Sequence, residues 1–304
     1  MVATAYNAGT SGPAPKAVDK SQAGRRSLAG SVLSSWEGRV GLAGLVLFGL
    51  IIFVGPHVAP YSPYATGTGP ILSSPSMSHW LGTDEYGRDV LSRVLSGGFG
   101  IVWPAFLGLV LAFLLGGIFG IFAGYRGGVF DGAFSRVVDV LLSLPPLLLV
   151  LLIIAGAGRS TAVIVVALGI VFAPRVARVI RGSTQAVSRN EYVDAARVRG
   201  ESLVSISRRE LLPNISGPLS VEFAVRYVHA IIFVATLSFL GLGAQPPSPN
   251  WGLMVSDGQA YITVQPLEVL APALFIAALA VSVNLLGDAA SSALARDQVV
   301  QGEG

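Results

Sequence analysis

Side chains that could do chemistry are sparse in this sequence. Its three histidines, His57, His79 and His229, stand singly, with no histidine pair at helical metal-binding spacing. There is no cysteine, which removes disulfides, thiolate-bound metals and thiol catalysis. No Gly-x-Ser-x-Gly elbow is present, and no Ser/His/Asp arrangement can be argued. Gly156-Ala157-Gly158-Arg159-Ser160-Thr161 looks superficially like a phosphate loop, but it lacks the lysine and the following soluble helix. The residue types therefore exclude Walker-type ATP binding, supply no metal-ligand set, and predict a chain that is not an enzyme.

What remains are ionisable groups inside apolar runs, where burying charge is costly. Glu222, Arg226 and His229 follow at spacings of four and three, which places them on one helix face. They read either as an internal ion pair near a helix end or as Arg226 and His229 facing a water-filled path. Asn284 and Asp288 invite the same two readings. The longest polar interval, residues 190–218, has a different character. Tyr192, Ala195, Ala196 and Val198 give its first half an apolar side, Gly200 offers a helix stop, and a second short helix over residues 203–211 is expected to end before Pro213. It reads as a solvated loop or as a compact helix-turn-helix packed against something.

The elements that must position these residues are membrane helices. Mean hydropathy is +0.67. Charged residues make up 12%, against roughly a quarter in soluble domains, so the chain falls in the membrane class. Six apolar runs are long enough to cross a bilayer: residues 40–57, 100–125, 137–157, 161–179, 219–242 and 267–286. The second carries Gly108, Ala112, Gly116, Gly120 and Gly124 at every fourth position, a stripe that lets another helix approach closely. The third contains Pro145 and Pro146 and is expected to kink. Residues 1–36 form a basic tail with too few apolar residues to order itself, residues 37–290 the membrane domain, and residues 291–304 a short polar tail. Between the first two spans, Asp89, Val90, Leu91, Val94 and Leu95 suggest an interfacial helix with one wet face. The Pro-rich stretch at residues 243–252 reads as non-helical.

Arginine placement orients the spans. Lys16, Lys20, Arg25, Arg26 and Arg39 lie before the first span, and Arg175, Arg178, Arg181, Arg189, Arg197, Arg199, Arg208 and Arg209 lie around the fourth-to-fifth loop. The other side holds Arg88, Arg93 and Arg159. By the positive-inside rule both termini and the loop at 181–218 are cytoplasmic, and the loops at 57–98 and 244–266 face outward. Glu191, Asp194, Glu201 and Glu210, interleaved with these arginines, argue against nucleic-acid binding.

These residues resemble a known family. Asp194-Ala195-Ala196, then Gly200, Glu210 and Leu212-Pro213, look like the EAA loop of the membrane subunits of bacterial ABC importers. The Leu-Gly-Thr-Asp-x-x-Gly-Arg-Asp-Val-Leu-Ser-Arg run at 81–93, with Ser238-Phe239-Leu240-Gly241-Leu242-Gly243 and Pro247-Ser248-Pro249-Asn250-Trp251-Gly252, is similar to the C-type permease of dipeptide, oligopeptide and nickel importers. Glutamate is common where Asp194 stands, and isoleucine or histidine where Glu210 stands.

The resemblance implies an all-α polytopic membrane protein with six transmembrane helices, the type I importer permease fold, and cytoplasmic coupling helices. Glu191, Tyr192, Asp194, Ala195, Ala196, Gly200, Glu210 and Pro213 would dock on an ATPase, either two subunits or one fused chain, which binds the ATP and magnesium; this chain would hold no cofactor. A second, B-type permease would complete the path, with Arg226, His229 and Asn284 as its candidate lining here. Asp84, Arg88, Asp89, Pro249 and Trp251 would contact an extracytoplasmic binding protein. The implied location is the bacterial inner membrane and the implied cargo di- or oligopeptides. Nickel, haem or another small solute is the alternative cargo, and a stand-alone secondary transporter the rival class. The latter should show inverted repeats and mid-span carboxylates, and neither is evident in the sequence.

Overall fold

The computed structural model describes residues 28–302. Most of the tail expected at 1–36, with its lysines and Arg25 and Arg26, lies outside the described residues, as do residues 303 and 304. The described chain is helical: α1 (Leu28–Ser34), α2 (Trp36–Val58), α3 (Val90–Gly97), α4 (Phe99–Arg126), α5 (Gly128–Ser143), α6 (Pro146–Ala157), α7 (Thr161–Val187), α8 (Glu191–Val198), α9 (Leu203–Ile206), α10 (Leu212–Phe239), α11 (Trp251–Gly258) and α12 (Leu267–Gly302). Five helical stretches are long and apolar enough to span a membrane, and α5 with α6 makes a sixth if that bent pair is one span.

The third span is broken where a kink was expected. α5 and α6 meet at 84°. A residue before proline is pushed out of the helical region, and here two such positions follow each other. Leu144 (φ −81°, ψ 135°) and Pro145 (φ −59°, ψ 121°) are both extended, so the helical hydrogen bonds stop and Pro146 starts a new helix.

At the other proline the opposite happens. The helix expected to end before Pro213 continues instead: α9 passes through a π-helical turn, Ser207–Leu211, into α10. A π turn widens the backbone and accommodates a residue lacking an N–H. The Asn214 side chain donates to the Glu210 carbonyl at 2.6 Å. Loop and span thus form one continuous helical stretch from Leu203 to Phe239.

The small-residue stripe of α4 packs on α7. All five stripe residues are buried. A Cβ on Gly116 would come within 2.8 Å of the Ala173 carbonyl oxygen, and one on Gly120 within 2.7 Å of that of Ala177. In lipid, where apolar burial gives little drive between helices, such close backbone approach supplies the van der Waals contact that holds a pair together.

The wet face expected for α3 is absent. None of its residues is exposed; Val90, Ser92, Arg93 and Val94 are all buried. The reason is Trp251, at the start of α11, which donates its indole N–H to the Val94 carbonyl at 2.7 Å. Its ring meets Phe48 of α2 and Phe275 of α12 edge-on, with centroids 6.3 and 5.5 Å away. One buried side chain so joins four helices.

Candidate functional site

The loop between α7 and α10 is a helical hairpin on a small core of its own. α8 begins after extended Asn190 and carries Glu191 and Asp194 in its first turn, where carboxylates favour the helix dipole. Gly200 adopts φ +76°, and the N–H groups of Gly200 and Glu201 return to the carbonyls of Arg197 and Ala196 at 2.9 and 3.2 Å. A side chain is strained in that left-handed conformation, so the glycine makes the bend. Ser202 then caps α9 by accepting from the Ser205 N–H.

The buried face of α8 differs from the expected one. Val193 and Ala196, with Ile206 and Leu211, form a cluster against Ile121, Tyr125 and Val187. Tyr192, Ala195 and Val198 point outward. Ala196 therefore serves packing within the chain, and the outward apolar surface is led by Val198, 89% exposed, and Val204, 76% exposed. Glu191, Asp194 and Pro213 are exposed and Glu210 half-buried.

Polar contacts fasten the hairpin. Arg197 donates to the Tyr125 hydroxyl at 3.1 Å and to Asp194 Oδ1 at 2.9 Å, and its guanidinium lies 4.5 Å from the Tyr125 ring centre. Arg199 donates twice to Glu201 Oε1, at 3.1 and 2.7 Å, while the Ser205 hydroxyl donates to Oε2. The Arg199 bonds, helped by that of Ser205, hold the Glu201 carboxyl below its ordinary range.

The loop between α2 and α3 is a knot of buried charge. Asp84 Oδ1 accepts the Tyr86 and Arg88 N–H groups, each at 2.9 Å, and Oδ2 accepts Arg88 Nε at 2.6 Å and Arg93. Asp89 caps α3 through Ser92 and accepts from His79 at 2.9 Å, whose ring stacks on Tyr61. Gln265 reaches back to the Ser73 and Leu81 carbonyls at 2.9 Å each. Asp84, Arg88, Asp89, Pro249 and Trp251, expected as contact residues, are all buried within the chain. Their polar groups are spent on holding the loop in shape, so they do not present a surface. The outward side chains there are Met77 (95% exposed), Trp80 (69%), Ile71 and Tyr86.

The expected path residues stay within their own helices. Arg226 pairs with Glu222, which is the ion-pair reading of that face. His229 is exposed, with Nδ1 2.8 Å from the Val225 carbonyl, and Asn284 is exposed and donates to Asp288 at 3.2 Å. The structure also joins residues that hydropathy leaves apart. Arg181 of α7 pairs with Asp131 of α5, Nη2 to Oδ2 at 2.7 Å, and Gln185 donates to the same oxygen at 3.0 Å. Both partners lie just beyond the apolar runs at 137–157 and 161–179; opposite charges flanking two such runs were the available signal.

Residues 116–299 match the family of binding-protein-dependent transport system inner membrane components. The chain belongs to that family. A putative peptide transport system permease protein of Brucella suis is 37% identical over 251 residues, covering 82% of this chain and 84% of that protein. Dipeptide transport system permease proteins of Haemophilus influenzae and Bacillus subtilis are 32% and 35% identical over 261 and 263 residues, with 84% and 85% of this chain and 88% and 82% of theirs covered. This member of the family is an integral membrane protein and a non-enzymatic permease subunit of an ABC importer. Such subunits carry no cofactor of their own and in general work with a second permease, an ATPase and a binding protein.

Proposed function

We propose that this permease forms half of an import path for di- or oligopeptides across the bacterial inner membrane, with both termini cytoplasmic. Residues 191–213 dock on a separate ATPase that binds ATP and magnesium, a B-type permease supplies the other half of the path, and an extracytoplasmic binding protein delivers cargo. The peptide assignment rests on the peptide and dipeptide permeases that the chain resembles. The observation that carries the docking assignment is the hairpin itself: a glycine-bent pair of helices, braced by Val193, Ala196, Ile206 and Leu211, that turns Val198 and Val204 outward. Isolated apolar side chains at that exposure are suited to a partner's groove. The continuous helix from Leu203 to Phe239 makes the loop a lever, since movement of the docked end moves the span. Outside, Met77, Trp80 and Tyr86 are the side chains available to the binding protein.

The test replaces Val198 and Val204 together by aspartate in the assembled importer. The expected outcome is a chain that inserts and pairs with the second permease but no longer retains the ATPase through purification and takes up no labelled dipeptide. Normal ATPase retention and uptake would show that the hairpin docks elsewhere. Uptake of nickel rather than dipeptide by the unmodified importer would remove the peptide assignment alone.

A further inference from the structure

The buried charge of the knot between α2 and α3 is not balanced within the chain. Asp84, Glu85 and Glu268 bring three carboxylates together, and Arg88 and Arg93 set two guanidinium groups against them. Both arginines bond the same oxygen of Asp84, and Arg88 reaches Glu85 Oε1 at 3.2 Å. Glu268 is left over. It is 1% exposed, and no N–H or hydroxyl group among the described residues donates to either of its carboxylate oxygens; its carboxyl lies against that of Glu85, whose Oε2 likewise receives no donor.

A buried carboxylate without a partner is costly, and the remedy is a cation or a proton. One oxygen from each of the three carboxylates lies within 4.8 Å of the others. Calcium bonds oxygen at about 2.3–2.6 Å, so oxygens on opposite sides of one ion stand about 4.6–5.2 Å apart, and this spacing admits a single ion. The backbone is shaped around Glu268. Gly258 passes so close that a Cβ there would meet Glu268 Cγ at 2.8 Å, and Gln265 ties the start of α12 to the Ser73 and Leu81 carbonyls. Half-buried Asp257 adds a further acidic group nearby, its carboxyl pushed above the ordinary range by burial and by the neighbouring Glu85 charge.

We propose that Glu268 and Glu85, with Asp84 at the edge, bind one hard divalent cation of the calcium or magnesium class. The ion would clamp the loop between α2 and α3 to the first turn of α12, joining residues 183 positions apart in the chain (Glu85 and Glu268). Carboxylate oxygens are the donor set such ions take, and the absence of nitrogen or sulfur donors disfavours softer metals.

The experiment uses the full chain purified in detergent, stripped with chelator, with Mn2+ as a spectroscopic probe and Ca2+ as competitor. Electron paramagnetic resonance is expected to count about one bound Mn2+ per chain, displaced by Ca2+, with hexacoordinate oxygen character. Returning Ca2+ should raise the unfolding temperature. Glu268→Gln should abolish both effects, and Glu85→Gln, at the less buried ligand, should weaken Mn2+ binding by about tenfold or more. If Glu268→Gln does not fold, Glu85→Gln carries the test. Failure of the unmodified chain to bind Mn2+ stoichiometrically overturns the proposal and assigns the balance to a proton shared by the two glutamates or to a partner's basic side chain. Unchanged binding in both variants overturns it too.

Discussion

Arg197 lies against Tyr125, donating to its hydroxyl at 3.1 Å with the guanidinium 4.5 Å from the ring centre. Arg197 belongs to the hairpin proposed to meet the ATPase, and Tyr125 to the end of α4, the helix that carries the small-residue stripe. A pull on the hairpin therefore reaches the packed α4–α7 pair as well as α10. A cation–π contact at a partly exposed position contributes about 0.5–1 kcal/mol. Tyr125→Ala should leave the subunit inserted and the ATPase bound but lower uptake per ATP hydrolysed, measured together in proteoliposomes. Tyr125→Phe, which keeps the ring, should fall between. Unaltered coupling in Tyr125→Ala would remove this contact from the relay.

Trp251 is the most consequential single side chain where α2, α3, α11 and α12 meet. Truncating a fully buried tryptophan removes roughly 3–5 kcal/mol. Here Trp251→Ala also frees the Val94 carbonyl and leaves Phe48 and Phe275 facing a hole. The variant should melt well below the unmodified protein in detergent, and Trp251→Phe should lose about 1–3 kcal/mol, from the indole hydrogen bond and the smaller ring. Equal melting of Trp251→Ala and the parent would mean the helices are held otherwise.

The stripe on α4 makes a sharp contrast between neighbours. Gly116→Val and Gly120→Val each drive a side chain into the main chain of α7, where contacts already stand at 2.8 and 2.7 Å for a Cβ. The folded yield of both should collapse. Gly117→Ala, whose nearest neighbour would be Ile180 Cδ1 at 3.8 Å, should stay within about 0.5 kcal/mol of the parent. Monodispersity by size-exclusion chromatography separates the outcomes.

Arg181 and Asp131 hold the broken third span against α7. A double-mutant cycle with Asp131→Asn and Arg181→Met should return a coupling energy of about 0.5–3 kcal/mol, because each single change strands the other charge in a half-buried position. Additive effects would show that the two charges are independent and that packing alone positions α5.

The prolines show where local rules reach and where they stop. Both the Pro145–Pro146 break and the passage through Pro213 concern the same two properties, a missing N–H and a restricted preceding residue. Two prolines in succession leave two extended residues and no helical continuation. A single proline next to a π turn is absorbed, because the widened turn takes up the misfit, and hydropathy carries no information about a π turn.

The hairpin was legible in kind and not in detail. Gly200 as the bend follows from its lack of a Cβ, and its φ of +76° agrees. Which side of α8 faces inward depends on where Ile121, Tyr125 and Val187 arrive from other helices, so Val193 replaced Tyr192 and Ala195 in the buried face.

By itself the sequence determined the membrane-spanning runs, the close-packing stripe and the lack of a Walker-type phosphate loop or a thiol, since these depend on composition and on spacing within one helix. Only the tertiary structure decided that Asp84, Arg88, Asp89 and Trp251 are internal fasteners, and that Glu268 meets Glu85. Those outcomes depend on charges and rings from distant segments being brought to one point and shielded from water, and no local pattern encodes such a meeting.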